Sequence, residues 1–178
     1  MKFLSIFFFI IGLLSLALGG SELYLRENPS RLAFDNYTYA VGMPSAHKNI
    51  PVRITIDALA IDAPVSPVVV ENNKWPVTGK AASYLAASPI PGEAGNSIIY
   101  AHNWKNLFAN LTNAQTGEEV VITFADGSKK TFVISSTSTV TPDTSSILAN
   151  ANDTRITLYT CTGFLDTNRF VAVATVTN

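Results

Sequence analysis

From residue 51 to the C-terminus the chain consists of short β-branched and aromatic runs separated by Gly, Pro, Asn and Asp. That texture admits few folds besides a β-barrel or a β-sandwich. The runs of strand-like length cover residues 52–56, 67–70, 97–101, 119–124, 130–137, 155–159 and 170–175. Between two of them lies Asp126-Gly127, a dipeptide suited to the positive φ angles of a two-residue hairpin, which makes 119–124 and 130–137 antiparallel neighbours. Helical content is predicted to be minor: a short helix over 81–87, and another over 144–150 behind Pro142-Asp143.

The N-terminus is of a different kind. Residues 3–20 carry no charge, and as a helix rising 1.5 Å per residue they reach roughly 27 Å, enough to cross a hydrocarbon core of about 30 Å. Residues 1–21 are therefore expected to be a transmembrane signal-anchor. Residues 22–48, punctuated by Pro29, Gly42 and Pro44, are expected to form a stalk, with a short helix over 22–26, that either stands free or folds over the domain. Residues 49–178 are the expected folded domain. Lys2 before the apolar run and Glu22 after it favour a cytoplasmic N-terminus, giving a single-pass protein of the cell membrane with an extracellular domain. A cleaved signal peptide is the alternative, since Ala17 and Gly19 supply small residues; both readings export the domain.

Composition narrows the function further. Among 178 residues, 12 basic and 13 acidic side chains leave no basic field to concentrate on nucleic acid. A single cysteine forms no internal disulfide, and with neither a Cys-x-x-Cys pair nor a His-rich cluster no structural metal is predicted. Glu118, Glu119 and Asp126 read as solvated loop and strand-end charges rather than a calcium site, and no cofactor is expected.

The cysteine ends a strand, Arg155-Ile-Thr-Leu-Tyr-Thr-Cys161, and Arg169 opens the next one. If consecutive strands pair, Arg169 returns beside Cys161, where a fixed cation favours thiolate and donates to an oxyanion. Taken alone, Cys161 reads first as a small buried hydrophobe. A thiol attacking an amide also needs a proton donor for the departing amine. Of the two histidines, His47 lies in the stalk, whereas His102 ends the apolar strand Ser97-Ile-Ile-Tyr-Ala101. A strand-terminal histidine bonded to a turn is its bland reading. Trp104, Phe108 and Leu111 recur at roughly helical spacing after it, and they read first as packing of that loop onto the barrel.

Pro91-Gly-Glu-Ala-Gly-Asn96, the strand ending in His102, Thr-Leu-Tyr-Thr-Cys at 157–161 and Arg169 together resemble the sortases, cysteine transpeptidases of bacterial surfaces. The resemblance runs from about Pro51 to the C-terminus and is specific as a set. It implies a closed eight-stranded β-barrel with short helices, in which His102, Cys161 and Arg169 meet at the end of a groove. It also implies cleavage of a C-terminal sorting signal of the Leu-Pro-x-Thr-Gly kind after its Thr, a thioester on Cys161, and transfer to an amine acceptor of the cell envelope. By that analogy His102 serves the leaving and incoming amines, and Arg169 steadies the oxyanion with the Thr162 backbone N–H as a second donor. Ala101 and Thr160 are expected to line the groove. Ala101 stands where the family often has Gly. The stalk lacks an Asp-Pro-aromatic motif and no second apolar segment follows residue 170, which disfavours the pilus-polymerising branch. A thiol hydrolase using the same site and a non-catalytic ligand-binding barrel remain the rival readings.

Overall fold

A computed structural model of the protein describes residues 2–26, 29–35, 49–70 and 75–176. Eight strands follow the N-terminal helix α1 (Lys2–Arg26): β1 (Pro51–Ile56), β2 (Ile61–Val68), β3 (Ala82–Leu85), β4 (Gly95–Tyr100), β5 (Glu119–Phe124), β6 (Lys129–Val140), β7 (Thr154–Thr162) and β8 (Asn168–Val176). They close into a barrel in the order β1-β2-β3-β4-β7-β8-β6-β5. Pairing is antiparallel except between β2 and β3 and between β4 and β7. Closure leaves no open sheet edge.

Period-two burial explains the strands on the polar side of the barrel: in β2, Ile61, Ala63 and Val65 point inward while Asp62, Pro64 and Ser66 face solvent. β4 is buried along its whole length because it is covered twice. Ile99 packs into the barrel interior with Ile54, Ile122, Phe132 and Leu158, whereas Ile98 and Tyr100 belong to an outer apolar layer with Trp75, Leu85, Tyr159 and Val171. That outer layer also contains Leu32 and Phe34, so residues 29–35 pack onto the barrel.

Several expectations need correction. Residues 81–87 are not helical: 82–85 form β3, buried on both faces between β2 and β4, so tertiary pairing overrides a helix-favouring composition. The strand expected at 67–70 begins earlier, at Ile61, because Pro64 and Pro67 sit within a strand. The hairpin loop is Ala125-Asp126-Gly127, three residues rather than two, with the Phe124 N–H donating to Ser128 O and only Gly127 at positive φ (83°). The helix behind Pro142 is a 3-10 turn, Ser145–Leu148. The expected helix over 22–26 is the end of α1. His47 lies outside the described residues.

α1 leaves Phe3, Phe9, Leu16 and its other described apolar side chains exposed. Among the described residues no helix is long and apolar enough to cross a membrane.

Candidate active site

Two ladders bring His102, Cys161 and Arg169 to one end of the barrel. In the antiparallel β7–β8 pair Cys161 lies directly opposite Arg169, which places both side chains on the same face about 5 Å apart at Cβ. In the parallel β4–β7 pair Tyr100 is level with Tyr159, and the Ala101 N–H continues the ladder to Tyr159 O at 3.3 Å. One step further, Thr160 Oγ1 donates to Ala101 O at 2.9 Å, and His102 then comes level with Cys161. Asn103 Nδ2 donates to Cys161 O at 3.0 Å and closes this corner. A cavity of about 180 Å³ is lined by His102, Asn103, Trp104, Cys161 and Asp166.

The expected site residues thus divide by face. Cys161 belongs to the outer apolar layer, whereas Ala101 packs inside the barrel. Thr160 is wholly buried, and its hydroxyl is spent on Ala101. Thr162 ends β7 opposite Asn168.

Trp104 stacks on the His102 ring, with centroids 4.5 Å apart and planes 10° from parallel. The indole in turn lies against Gly79: a Cβ there would sit 2.4 Å from Trp104 Cζ3. Gly79→Ala is therefore expected to push Trp104 off the His102 ring and slow reaction at Cys161 about tenfold, while the overpacking costs about 1–3 kcal/mol of stability. Single-turnover rates paired with thermal unfolding of the same variant check both halves. Phe108 and Leu111 pack into the barrel core as expected, with Trp104 partly buried against it.

Residues 29–35 cross the site as a strap. Cys161 Sγ donates to Arg31 O at 2.9 Å, Tyr159 Oη donates to Leu32 O at 3.1 Å, and Arg169 Nη2 donates to Ala33 O at 3.1 Å. Leu32 and Phe34 are wholly buried, and Phe34 meets Tyr159 edge to face at 5.1 Å. The Arg31 guanidinium pairs with Asp166 at 2.5 Å. The stalk therefore folds over the domain across 29–35, an alternative that sequence left open.

Burial pushes the Cys161 thiol up to about 12; the Arg169 charge works against this, and Asp166 adds to it. Under the strap the sulfur is a neutral thiol at physiological pH. Arg169 is itself 3% exposed, its Nη1 donating to Asp166 O at 2.9 Å and to Asn168 O at 3.0 Å. Its Nε–H is buried without a partner, leaving a donor in reserve.

Arg31 and Asp166 escaped the sequence reading. Leu32 and Phe34, apolar two residues apart beside a proline, were the available signal for the strap. Asp166 had none, since its position depends on the turn after β7, where Leu165 and Asp166 both take positive φ (53° and 59°).

A family model, the sortase domain, matches residues 54–177. Among solved structures, a lid mutant of sortase A from Corynebacterium diphtheriae superposes with a TM-score of 0.64 at 22% identity, covering 91% of this chain and 95% of that one. Sortase C1 from Streptococcus agalactiae gives 0.62 at 22% identity over 71% of this chain and 66% of the other, so the chain spans slightly under two thirds of that structure's length. Sortase A from Listeria monocytogenes gives 0.58 at 23% identity over 72% and 88%. No curated protein sequence matches the chain.

Proposed function

Because the chain belongs to the sortase family, we propose that it is a transpeptidase in which Cys161 attacks a C-terminal sorting signal of the Leu-Pro-x-Thr-Gly kind, holds the acyl group as a thioester, and passes it to an amine of the cell envelope. The observation that carries this reading is the cross-strand pairing of Cys161 with Arg169 at the same barrel end as His102. Cys161 is the nucleophile. His102 protonates the departing amine and later deprotonates the incoming one. Arg169 donates to the oxyanion, and the Thr162 N–H is the second donor. Thr160 and Ala101, bonded to each other and buried behind the site, keep the ends of β4 and β7 in register.

In this reading the strap holds the place of substrate. Its carbonyls already sit on Sγ and on Arg169, and Leu32 and Phe34 fill the apolar face over Tyr100 and Tyr159. A sorting signal binds by displacing it. The anchor in this reading rests on the uncharged run of residues 3–20 in the sequence, which would hold the barrel outside the cell as a single-pass protein with surface proteins as its substrates.

Incubating the protein with a Leu-Pro-Glu-Thr-Gly-Gly peptide and triglycine tests the proposal, with products read by mass spectrometry. A ligated product supports transpeptidation. Cleavage without ligation makes the site that of a thiol hydrolase, and neither product with bound peptide makes the protein a ligand-binding barrel.

A further inference from the structure

Cys161 can be approached from two sides, and the strap covers one. The backbone of residues 31–33 and the side chains of Leu32 and Phe34 occupy the side that faces Tyr100 and Tyr159. The other side opens on the cavity between His102, Trp104 and Asp166. Building on the transpeptidase reading above, we propose that Asp166, at the mouth of this cavity, binds the acceptor amine as its ammonium ion, so that the turn between β7 and β8 selects the nucleophile.

Geometry leaves the acceptor little choice of route. With an acyl chain in the strap's place, the cavity is the opening among the described residues that borders both His102 and Cys161. The lining suits a cation: Asp166 is its one carboxylate, and the Trp104 indole and the Asn103 amide complete the wall. The Asp166 carboxylate already holds one cation, the Arg31 guanidinium, at 2.5 Å from Oδ2 with both side chains mostly buried. The strap residue that covers the sulfur with its carbonyl also engages this carboxylate with its side chain.

Asp166 is otherwise a liability, because a carboxylate beside Cys161 opposes thiolate formation. It is nevertheless presented from a backbone at φ 59°, directly after Leu165 at φ 53°, a conformation that Asp tolerates better than most residues. Its own carbonyl meanwhile holds Arg169 Nη1. One turn thus sets the oxyanion donor and offers a charge to the acceptor.

The step balances without a further reactant. The ammonium docks on Asp166, and His102, neutral after giving its proton to the first leaving amine, takes one proton from the nitrogen. The nitrogen pair attacks the thioester carbon, the C–N bond forms, and the C–S bond breaks. The expelled Cys161 sulfur takes the second proton, directly or through water, leaving an amide and a free thiol.

The test uses the full chain, a Leu-Pro-Glu-Thr-Gly-Gly peptide, and either triglycine, largely an ammonium at about pH 7, or hydroxylamine, which is neutral there. The quantity read is the ratio of transfer to hydrolysis. Both products leave the same thioester, so changes in strap closure or in the rate of acylation cancel. Asp166→Asn removes the charge while keeping a residue that accepts positive φ. It is expected to lower the triglycine ratio about tenfold while changing the hydroxylamine ratio less than about twofold, with Asp166→Glu recovering part of the loss. An unchanged triglycine ratio, or an equal fall with hydroxylamine, overturns the assignment while leaving the transpeptidase intact. Failure of the unsubstituted protein to form any thioester overturns both.

Discussion

Replacing Leu32 and Phe34 together by serine is expected to raise the rate at which iodoacetamide alkylates Cys161 about ten- to a hundredfold at neutral pH. The two side chains are fully buried, and each contributes about 1.5–3 kcal/mol of apolar burial to closure. Against this stands the ordering of residues 29–35, at about 1 kcal/mol or more per residue. Ordering costs at least as much as the two side chains return, so closure leans as well on the hydrogen bonds to Arg31 O, Leu32 O and Ala33 O and on the Arg31–Asp166 pair, and removing two anchors tips it open. Alkylation proceeds through the open form, because under the strap the thiol is neutral and bonded to Arg31 O. The sign follows from burial: uncovering the sulfur lowers its pKa toward the ordinary value of about 8.5 and restores a few per cent of thiolate. Arg31→Ala, which breaks the pair with Asp166, should move the rate in the same direction by less, since that pair is partly solvated. Time courses followed by intact mass decide the matter, with unfolded protein as the upper reference. A double variant that reacts no faster than the parent would mean that the strap does not shield the sulfur.

Arg169→Lys is expected to slow thioester formation about 10²- to 10³-fold with little change in peptide affinity. Lysine keeps the charge and loses the planar fork. In the structure that fork does three things at once: Nη1 grips the Asp166 and Asn168 carbonyls, Nη2 meets the strap at Ala33 O, and Nε remains unspent. When substrate replaces the strap, Nη2 and Nε are the donors free to meet a developing oxyanion, and a single ammonium cannot reach it while also holding the turn. Single-turnover rates over a range of peptide concentrations separate the two effects. A loss of less than about fivefold would remove Arg169 from transition-state stabilisation.

How legible this site was in sequence depended on the range of the contact. Cys161 and Arg169 sit on consecutive strands, and consecutive strands tend to pair, so their meeting followed from local order. His102 was harder. Its level with Cys161 rests on the parallel β4–β7 pairing, which brings together segments far apart in the chain, and only the family resemblance pointed to it. β5 was readable from its alternation, Val120, Ile122 and Phe124 inward. β3 was not: Ala82-Ser-Tyr-Leu85 is buried on both faces, carries no alternation, and is held as a strand by β2 on one side and β4 on the other. The Arg31–Asp166 pair joins a segment before the barrel to the turn between its last two strands, with nothing in either local sequence to announce the partner.

If Cys161 carries the acyl group, the adduct can be trapped and located. The direct measurement mixes the full-length protein with a Leu-Pro-Glu-Thr-Gly-Gly peptide, quenches in acid, and maps the adduct by mass spectrometry. The predicted result is a mass increase, matching the peptide up to its Thr, on the fragment that contains Cys161. Hydroxylamine should discharge it, and Cys161→Ala should lack it. Cleavage with no adduct at Cys161, or transfer that persists in Cys161→Ala, would contradict the claim.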